Sequence, residues 1–456
     1  MTFDLMTTEI HTNLAKYADW IRADDAHAVH HLRLVDQVDD VLSKRIELPA
    51  DDRAVLVQRL ERWRYLWLAE RSGRVTENDL GLVDAIDLAA NRLAGRATRP
   101  PRGPRSAIQN DNPKDGLDEL KKWLDPETPL DELIDQASRT TQSRFGGNDP
   151  AAGRPMLLYA PLYLSSFCIN QCTYCGFRFD QSIERKHLSI DEAIDEAEIL
   201  RQRGFRHVLL VAGDFPRLDR GEYFAEIISR LCEKGICPAV EIAPQSTQAY
   251  AELVAAGLCG VTLYQETYDE TRYSDYHPGG TKASFDWRLE GPERAAEAGV
   301  GRLGLGVLLG LSDPREDVLA MARHGVYLQE RFPDVRLAFS LPRISEAPAD
   351  FSLPHVVDDE LFVRLYCALR MAFPGANLVL STRESPELRE RMAKICITQL
   401  SAGSCTAPGG YGHEPTDGQF PVHDNRGVAE VVERLERDGI YPVWDFDELD
   451  GVDSRQ

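Results

Sequence analysis

The chain has 456 residues, room for two to three domains or for one α/β barrel with additions. Its 43% hydrophobic, 28% charged and 8% aromatic residues make an ordinary globular composition and exclude disordered, fibrous and membrane-embedded classes. With 74 acidic against 52 basic side chains the net charge is -22, a field that repels phosphate backbones, so no DNA or RNA partner is expected.

Met1 to Glu9 has neither the basic segment nor the apolar core of a signal peptide, and no apolar run reaches the roughly 18 residues of a membrane span. The expectation is a cytoplasmic protein without membrane contact. Residues 1–95 read as a helical module, because Leu14, Tyr17 and Ile21, then Leu56, Leu60, Trp63 and Trp67, then Val83, Ile86, Ala90 and Leu93 recur at helical spacing. Gly95 supplies a stop. Residues 96–114 read as a linker: Pro100, Pro101, Pro104 and Pro113, interleaved with Arg96, Arg99, Arg102 and Arg105, leave no regular element. So little apolar surface there joins the two parts that the module is expected to be separate; its apolar residues must be buried in its own core, against the barrel or in a partner, and its own core with a partner-facing surface is the favoured reading.

Residues 115–456 follow with a helical lead-in over 117–145 and then alternating apolar runs and helical patterns. The runs are Leu157–Leu164, His207–Val211, Ala239–Ala243, Val261–Tyr264, Leu303–Leu309, Val335–Leu341, Leu378–Ser381 and Ile395–Leu400. Eight strands alternating with helices predict a closed (β/α)8 barrel of the TIM type, whose chemistry sits on the loops after the strands' C-terminal ends.

Nine cysteines are an odd number, thinly spread, and argue against a disulfide framework. Cys232, Cys237, Cys259, Cys367 and Cys396 read as small core hydrophobes. One cluster differs: Cys168, Cys172 and Cys175 lie within eight residues, just past the first strand. Three thiolates on so short a loop can hold three irons of an iron–sulfur cube and leave the fourth open. A zinc site, which wants a fourth Cys or His, and unligated thiols are the alternatives.

This spacing, with Tyr174 before the last cysteine, resembles the radical S-adenosylmethionine (SAM) superfamily. Further segments carry the likeness: Leu-Leu-Val-Ala-Gly-Asp (209–214), Val-Glu-Ile-Ala-Pro (240–244), Tyr-Gln-Glu-Thr-Tyr (264–268), Trp-Arg-Leu (287–289), Gly-Leu-Gly-Val-Leu-Leu-Gly-Leu (304–311), Ser-Leu-Pro-Arg (340–343), Leu-Ser-Thr-Arg-Glu-Ser-Pro (380–386) and Pro-Gly-Gly-Tyr (408–411). Together they resemble the aromatic amino acid lyase branch, and within it the 2-iminoacetate synthase family of tyrosine lyases. The likeness covers about residues 115–446 and leaves the first hundred unexplained.

The resemblance implies a [4Fe–4S] cluster on Cys168, Cys172 and Cys175, with SAM bound at its open iron and cleaved to a 5′-deoxyadenosyl radical. It implies a carbon–carbon lyase acting on tyrosine, with tryptophan as the rival substrate; a non-catalytic iron–sulfur scaffold is the rival of another class. Asp214 would anchor the SAM amino group, although Ala212-Gly213-Asp214 stands where the family has Gly-Gly-Glu, one methylene longer. Asp214 as a helix cap is the plainer alternative. Tyr174, Glu241, Gly304 and Gly306 complete the expected cofactor side, against a core ion pair for Glu241 and simple barrel packing for the glycines.

On the substrate side Arg343 is the first choice for clamping the carboxylate, because a guanidinium binds it with two parallel hydrogen bonds. Ser381, Thr382 and Arg383 would assist, and Tyr264, Gln265, Glu266 and Tyr268 would line the wall. Either arginine could instead serve a structural salt bridge. The resemblance also implies a flavodoxin or ferredoxin donor, for which Arg178, Arg185 and Lys186 offer a basic patch. The hydrogenase-maturation relative carries a second cluster on C-terminal cysteines, whereas here Cys405 stands alone. The product is therefore expected to be released to a captor such as a thiazole synthase.

Overall fold

Runs of Leu, Val, Ile and Ala between helical stretches fold into parallel strands buried on both faces, which is why they read as continuous apolar segments. In the computed structural model these are β1 (Arg154–Ser165), β2 (His207–Ala212), β3 (Cys237–Glu241), β4 (Gly260–Glu266), β5 (Arg302–Val307), β6 (Arg336–Ser340), β7 (Asn377–Leu380), β8 (Gln399–Ser401) and β9 (Ile440–Val443). β1 pairs with both β2 and β8, so β1–β8 close into a parallel barrel, and β9 lies beside the first residues of β1. The structure describes residues 14, 17–24, 28–70, 77–95, 103–108, 117–146, 153–215, 221–344, 347–348, 351–413 and 416–450.

The eight-stranded barrel is the one expected, with two differences. β9 was not foreseen, since Ile-Tyr-Pro-Val is short and carries a proline. The last expected run begins inside the helix Pro386–Ile395, so only Gln399–Ser401 pair as β8. Alternate residues divide the faces: Leu158, Leu162, Val208, Leu210 and Val240 pack outward under the helices, whereas Tyr159, Tyr163, Leu209, Val211 and Ala239 point into the lumen. Among the described residues no helix is long and apolar enough to cross a membrane.

The N-terminal helices Ala28–Leu42, Ala50–Glu70 and Glu77–Leu93 bury the residues their spacing selects, among them Leu60, Trp63, Trp67 and Ile86. The same core takes in Trp287 from the barrel. Its indole lies between two guanidinium groups, Arg64 of the N-terminal helices at 3.9 Å and Arg294 at 3.4 Å. Arg64 is itself 1% exposed and pairs with Asp87 and, at 3.1 Å, with Glu290.

Where the sequence predicts no regular element, residues Gly103–Ile108 form a helix. Pro104 sits in its first turn, where a missing N–H costs nothing. Ile108 enters the barrel core, and Arg105 bonds Asp286 at 2.7 Å and pairs with Glu270. The rest of the expected linker lies outside the described residues.

At the end of the barrel opposite the cysteine loop, Cys237 and Cys259 form a disulfide, with Cα atoms 6.1 Å apart. This corrects their assignment as isolated core thiols: neighbouring strands bring together residues that are 22 apart in sequence.

Candidate active site

β1 delivers the chain to the catalytic end of the barrel, and the cysteine loop is then stitched to its neighbours by backbone hydrogen bonds. Ile169 N donates to Asp214 O (2.8 Å), Gln171 N to Gly279 O (3.1 Å) and Thr173 N to Tyr276 O (3.0 Å). Gly213 is required at the end of β2, because a Cβ there would strike Phe167 O and come within 3.1 Å of the Cys168 Cβ. The Arg185 guanidinium closes the loop from inside, donating to Ser166 O, to Phe177 O (3.1 Å) and to Arg178 O (2.6 Å). Arg178 pairs with Asp180 at 2.9 Å. Arg185 is therefore a brace of the loop.

Each outer cysteine receives a backbone N–H: Asn170 N lies 3.4 Å from Cys168 Sγ and Phe177 N 3.4 Å from Cys175 Sγ. Gln419 Nε2 adds a contact to Cys175 Sγ at 3.7 Å. Burial pushes the Cys172 thiol up to about 12, opposed by Lys282 and reinforced by Cys175. Three sulfurs from one loop are the donor number of an iron–sulfur cluster with one open iron, whereas a structural zinc site takes four ligands.

Asp214, two residues past β2, is buried at 6% exposure, and Asn170 donates to its Oδ2 at 3.3 Å. The amide oxygen of Asn170 accepts from Lys282 N at 3.0 Å, tying the cysteine loop to both the β2 and β4 loops. Tyr174 OH donates to His277 Nε2 at 2.8 Å, and His277 Nδ1 donates to Tyr273 O at 2.7 Å. Burial, with Lys282 adding to it, holds that imidazole neutral, as this pattern of donors requires.

Glu266 sits at a β4 irregularity with φ of 73°, a backbone conformation rare for a side-chain-bearing residue. Burial alone would raise its carboxyl; Lys282 at 2.6 Å and Arg288 at 3.7 Å outweigh that and hold it below the usual range. Glu241 faces the same lumen with no hydrogen-bond partner among the described residues. Burial, then the Glu266 charge, pushes its carboxyl up to about 7. Arg383 stacks 3.4 Å above the Phe420 ring and makes no side-chain hydrogen bond among the described residues, while its charge reaches both Glu241 and Glu266. Ser381 Oγ accepts from Arg383 N at 3.4 Å, and Thr382 O accepts from His423 N at 2.9 Å.

The lumen thus gathers Tyr264, Glu241, Glu266 and Arg383, but other expected residues turn elsewhere. Arg343 is bound by Glu384 (3.1 Å from Nε), by Asp359 at 2.9 Å and by Val357 O at 2.9 Å. Gln265 points out of the barrel toward Phe285 O at 3.4 Å, and Tyr268 bonds His324 at 3.0 Å in the helical layer. Gly304 and Gly306 leave room for Thr262 and for the Tyr264 ring, so packing takes up the space they vacate. Asn170, His277, Lys282, Arg288 and Glu384 were not picked out from the sequence. Asn170 lay within the cysteine loop and Arg288 and Glu384 within the quoted segments, but single polar residues give no signal of direction.

A parallel barrel that gathers three sulfur donors beside a buried carboxylate at its catalytic end defines an iron–sulfur barrel enzyme. The family model of the Radical SAM superfamily matches residues 162–324, and that of the Biotin and Thiamin Synthesis associated domain matches residues 340–441. The chain is 38% identical over 344 residues to 2-iminoacetate synthase of Escherichia coli (strain K12), covering 74% of this chain and 89% of that protein. The X-ray structure of the FeFe-hydrogenase maturase HydG from Carboxydothermus hydrogenoformans is similar with a TM-score of 0.64 and 30% identity, covering 87% of this chain and 86% of that one. A further HydG crystal structure gives 0.66 and 31%, covering 76% and 80%. The chain belongs to the radical SAM superfamily, in the family of the 2-iminoacetate synthases. That family works with a [4Fe–4S] cluster and SAM.

Proposed function

We propose that this enzyme cleaves the Cα–Cβ bond of tyrosine to 2-iminoacetate and p-cresol. The observation that carries the proposal is the joining of the cysteine loop to Asp214 through Asn170, directly above a lumen lined by Glu241, Glu266, Tyr264 and Arg383. When bound, the cluster and SAM would supply the radical chemistry that removes a hydrogen atom from the substrate amino group. Cys168, Cys172 and Cys175 would hold the cluster, and Asp214, oriented by Asn170, would accept from the SAM amino group. Tyr174, fixed by His277, forms the wall over that site.

For the substrate carboxylate the structure favours Arg383, whose fork is uncommitted, over Arg343, whose donors are spent on Glu384, Asp359 and Val357. Arg383 takes the carboxylate beside Ser381, and Arg343 holds Glu384 in the rim. Glu241 keeps its proton near neutrality and so can donate a hydrogen bond into the lumen. The buried aromatic lining excludes water and stray hydrogen donors from the reacting groups.

The proposal has 2-iminoacetate released and taken up by a capturing enzyme such as a thiazole synthase; a flavodoxin or ferredoxin delivers the electron. Incubation of reconstituted enzyme with tyrosine or tryptophan, SAM and dithionite tests the assignment. p-Cresol from tyrosine alone supports it; indolic products from tryptophan move the chain to the rival substrate.

A further inference from the structure

The closed end of the barrel holds chemistry that the tyrosine site does not use. β2 opens with His207 and β3 with Cys237, paired residue to residue, and Cys259 immediately precedes β4. Both sulfurs and a ring nitrogen of His207 lie within 4.8 Å of one another. The sulfurs are bonded, yet Pro238 O stands 3.0 Å from Cys259 Sγ, an acceptor for the S–H of the reduced form. The reduced Cys259 thiol thus has its acceptor in place. Both cysteines are half-buried, so a small thiol can reach them.

His207 Nδ1 donates to Cys237 O at 2.9 Å, which leaves Nε2 as the ring's acceptor. Burial holds the imidazole neutral, its protonation pushed down to about 4. The Phe446 ring covers it at 4.4 Å and is in turn covered by Arg302 at 3.9 Å.

We propose that Cys237 and Cys259 form a reversible dithiol–disulfide site at the closed end of the barrel, opened by a dithiol reductant. A reductant thiolate attacks one sulfur, the protein S–S bond breaks, and a mixed disulfide forms while the other protein sulfur leaves as thiolate and is protonated. The second reductant thiol, ionised in solvent, displaces the first protein sulfur, which leaves as thiolate and takes up the second proton from solvent. Two electrons and two protons pass to the protein, and the reductant leaves as its cyclic disulfide. Cysteines open to solvent are the labile class, unlike inert core cysteines.

The test uses the full chain, equilibrated anaerobically in mixtures of reduced and oxidised dithiothreitol, quenched by alkylation and mapped by peptide mass spectrometry. The peptides of Cys237 and Cys259 should be linked in oxidising mixtures and alkylated together in reducing ones, following one two-electron curve. Because the reductant's thiolate attacks, the opening rate should rise about tenfold per pH unit below the reductant's own thiol pKa, with the same end point. Independent alkylation of the two thiols in oxidising buffer would overturn the proposal. So would a linked pair that dithiothreitol opens only on unfolding, or one zinc per chain that protects both thiols.

Discussion

The side-chain amide of Asn170 bridges the ends of three barrel elements: its nitrogen donates to Asp214 Oδ2 at 3.3 Å, and its oxygen accepts from Lys282 N at 3.0 Å. Asp214 is one methylene shorter than the family's glutamate, so its position depends on this bond. Asn170→Ala keeps the backbone bonds of the loop, and iron content should stay at four per chain. A hydrogen bond to a charged group contributes about 1.5–3 kcal/mol, so SAM affinity should fall roughly 10- to 100-fold. Iron assay together with SAM titration checks both halves.

Arg185 braces the cysteine loop through several carbonyls, and replacing it leaves those carbonyls without a donor. Arg185→Ala should therefore reduce bound iron and slow turnover equally with dithionite and with a protein donor. Normal iron content with a loss confined to the protein donor would return Arg185 to a docking surface.

Arg383 and Arg343 separate by their partners. Arg383→Lys removes an uncommitted fork and should lower kcat/KM for tyrosine about 100-fold, the loss of about 3 kcal/mol from a paired charge, while uncoupled SAM cleavage continues. Arg343→Lys should cost less in kcat/KM and more in melting temperature, because Glu384, buried at 4% exposure, loses its bidentate partner. Larger catalytic loss at Arg343 would place the clamp there.

Glu241 gives a pH signature. Its carboxyl keeps its proton to about pH 7 in the folded chain, against an ordinary value near 4.5. Between those values the folded state binds more protons than the unfolded, so stability falls as pH rises through that window and stays reduced above it. The full shift corresponds to at most about 3 kcal/mol. Glu241→Gln should flatten the decline in melting temperature between pH 5 and pH 8; an unchanged slope would assign the decline to other groups.

The barrel was legible because each strand is an apolar run and each break carries turn residues, and the cysteine loop because three thiols in eight positions have few other uses. What the chain hid were relations across elements. Trp287 is an unremarkable aromatic in sequence, yet it sits in the N-terminal core between Arg64 and Arg294. Arg343 and Arg383 follow adjacent strands and look alike; only Glu384 beside one and Phe420 beside the other tell them apart. Cys237 and Cys259 have no motif spacing because a parallel barrel joins them sideways, strand to strand.

Arg64 bears on the boundary of the N-terminal helices. The sequence expects a chain beginning near Asp111 to fold, bind the cluster and cleave SAM. That truncation would uncover Trp287 beside Arg288, which donates to Tyr264 O at 2.6 Å and lies next to Glu266. Arg64→Ala strips Asp87 and Glu290 of a buried partner and should cost about 3–5 kcal/mol, read as a fall in melting temperature.

The account stands most directly on one measurement: products formed by anaerobically reconstituted enzyme from tyrosine, SAM and dithionite. It predicts p-cresol and 5′-deoxyadenosine in equal amounts, with glyoxylate from hydrolysed 2-iminoacetate, all abolished in the Cys168→Ala, Cys172→Ala, Cys175→Ala triple variant. Four irons and 5′-deoxyadenosine without p-cresol from tyrosine would contradict it.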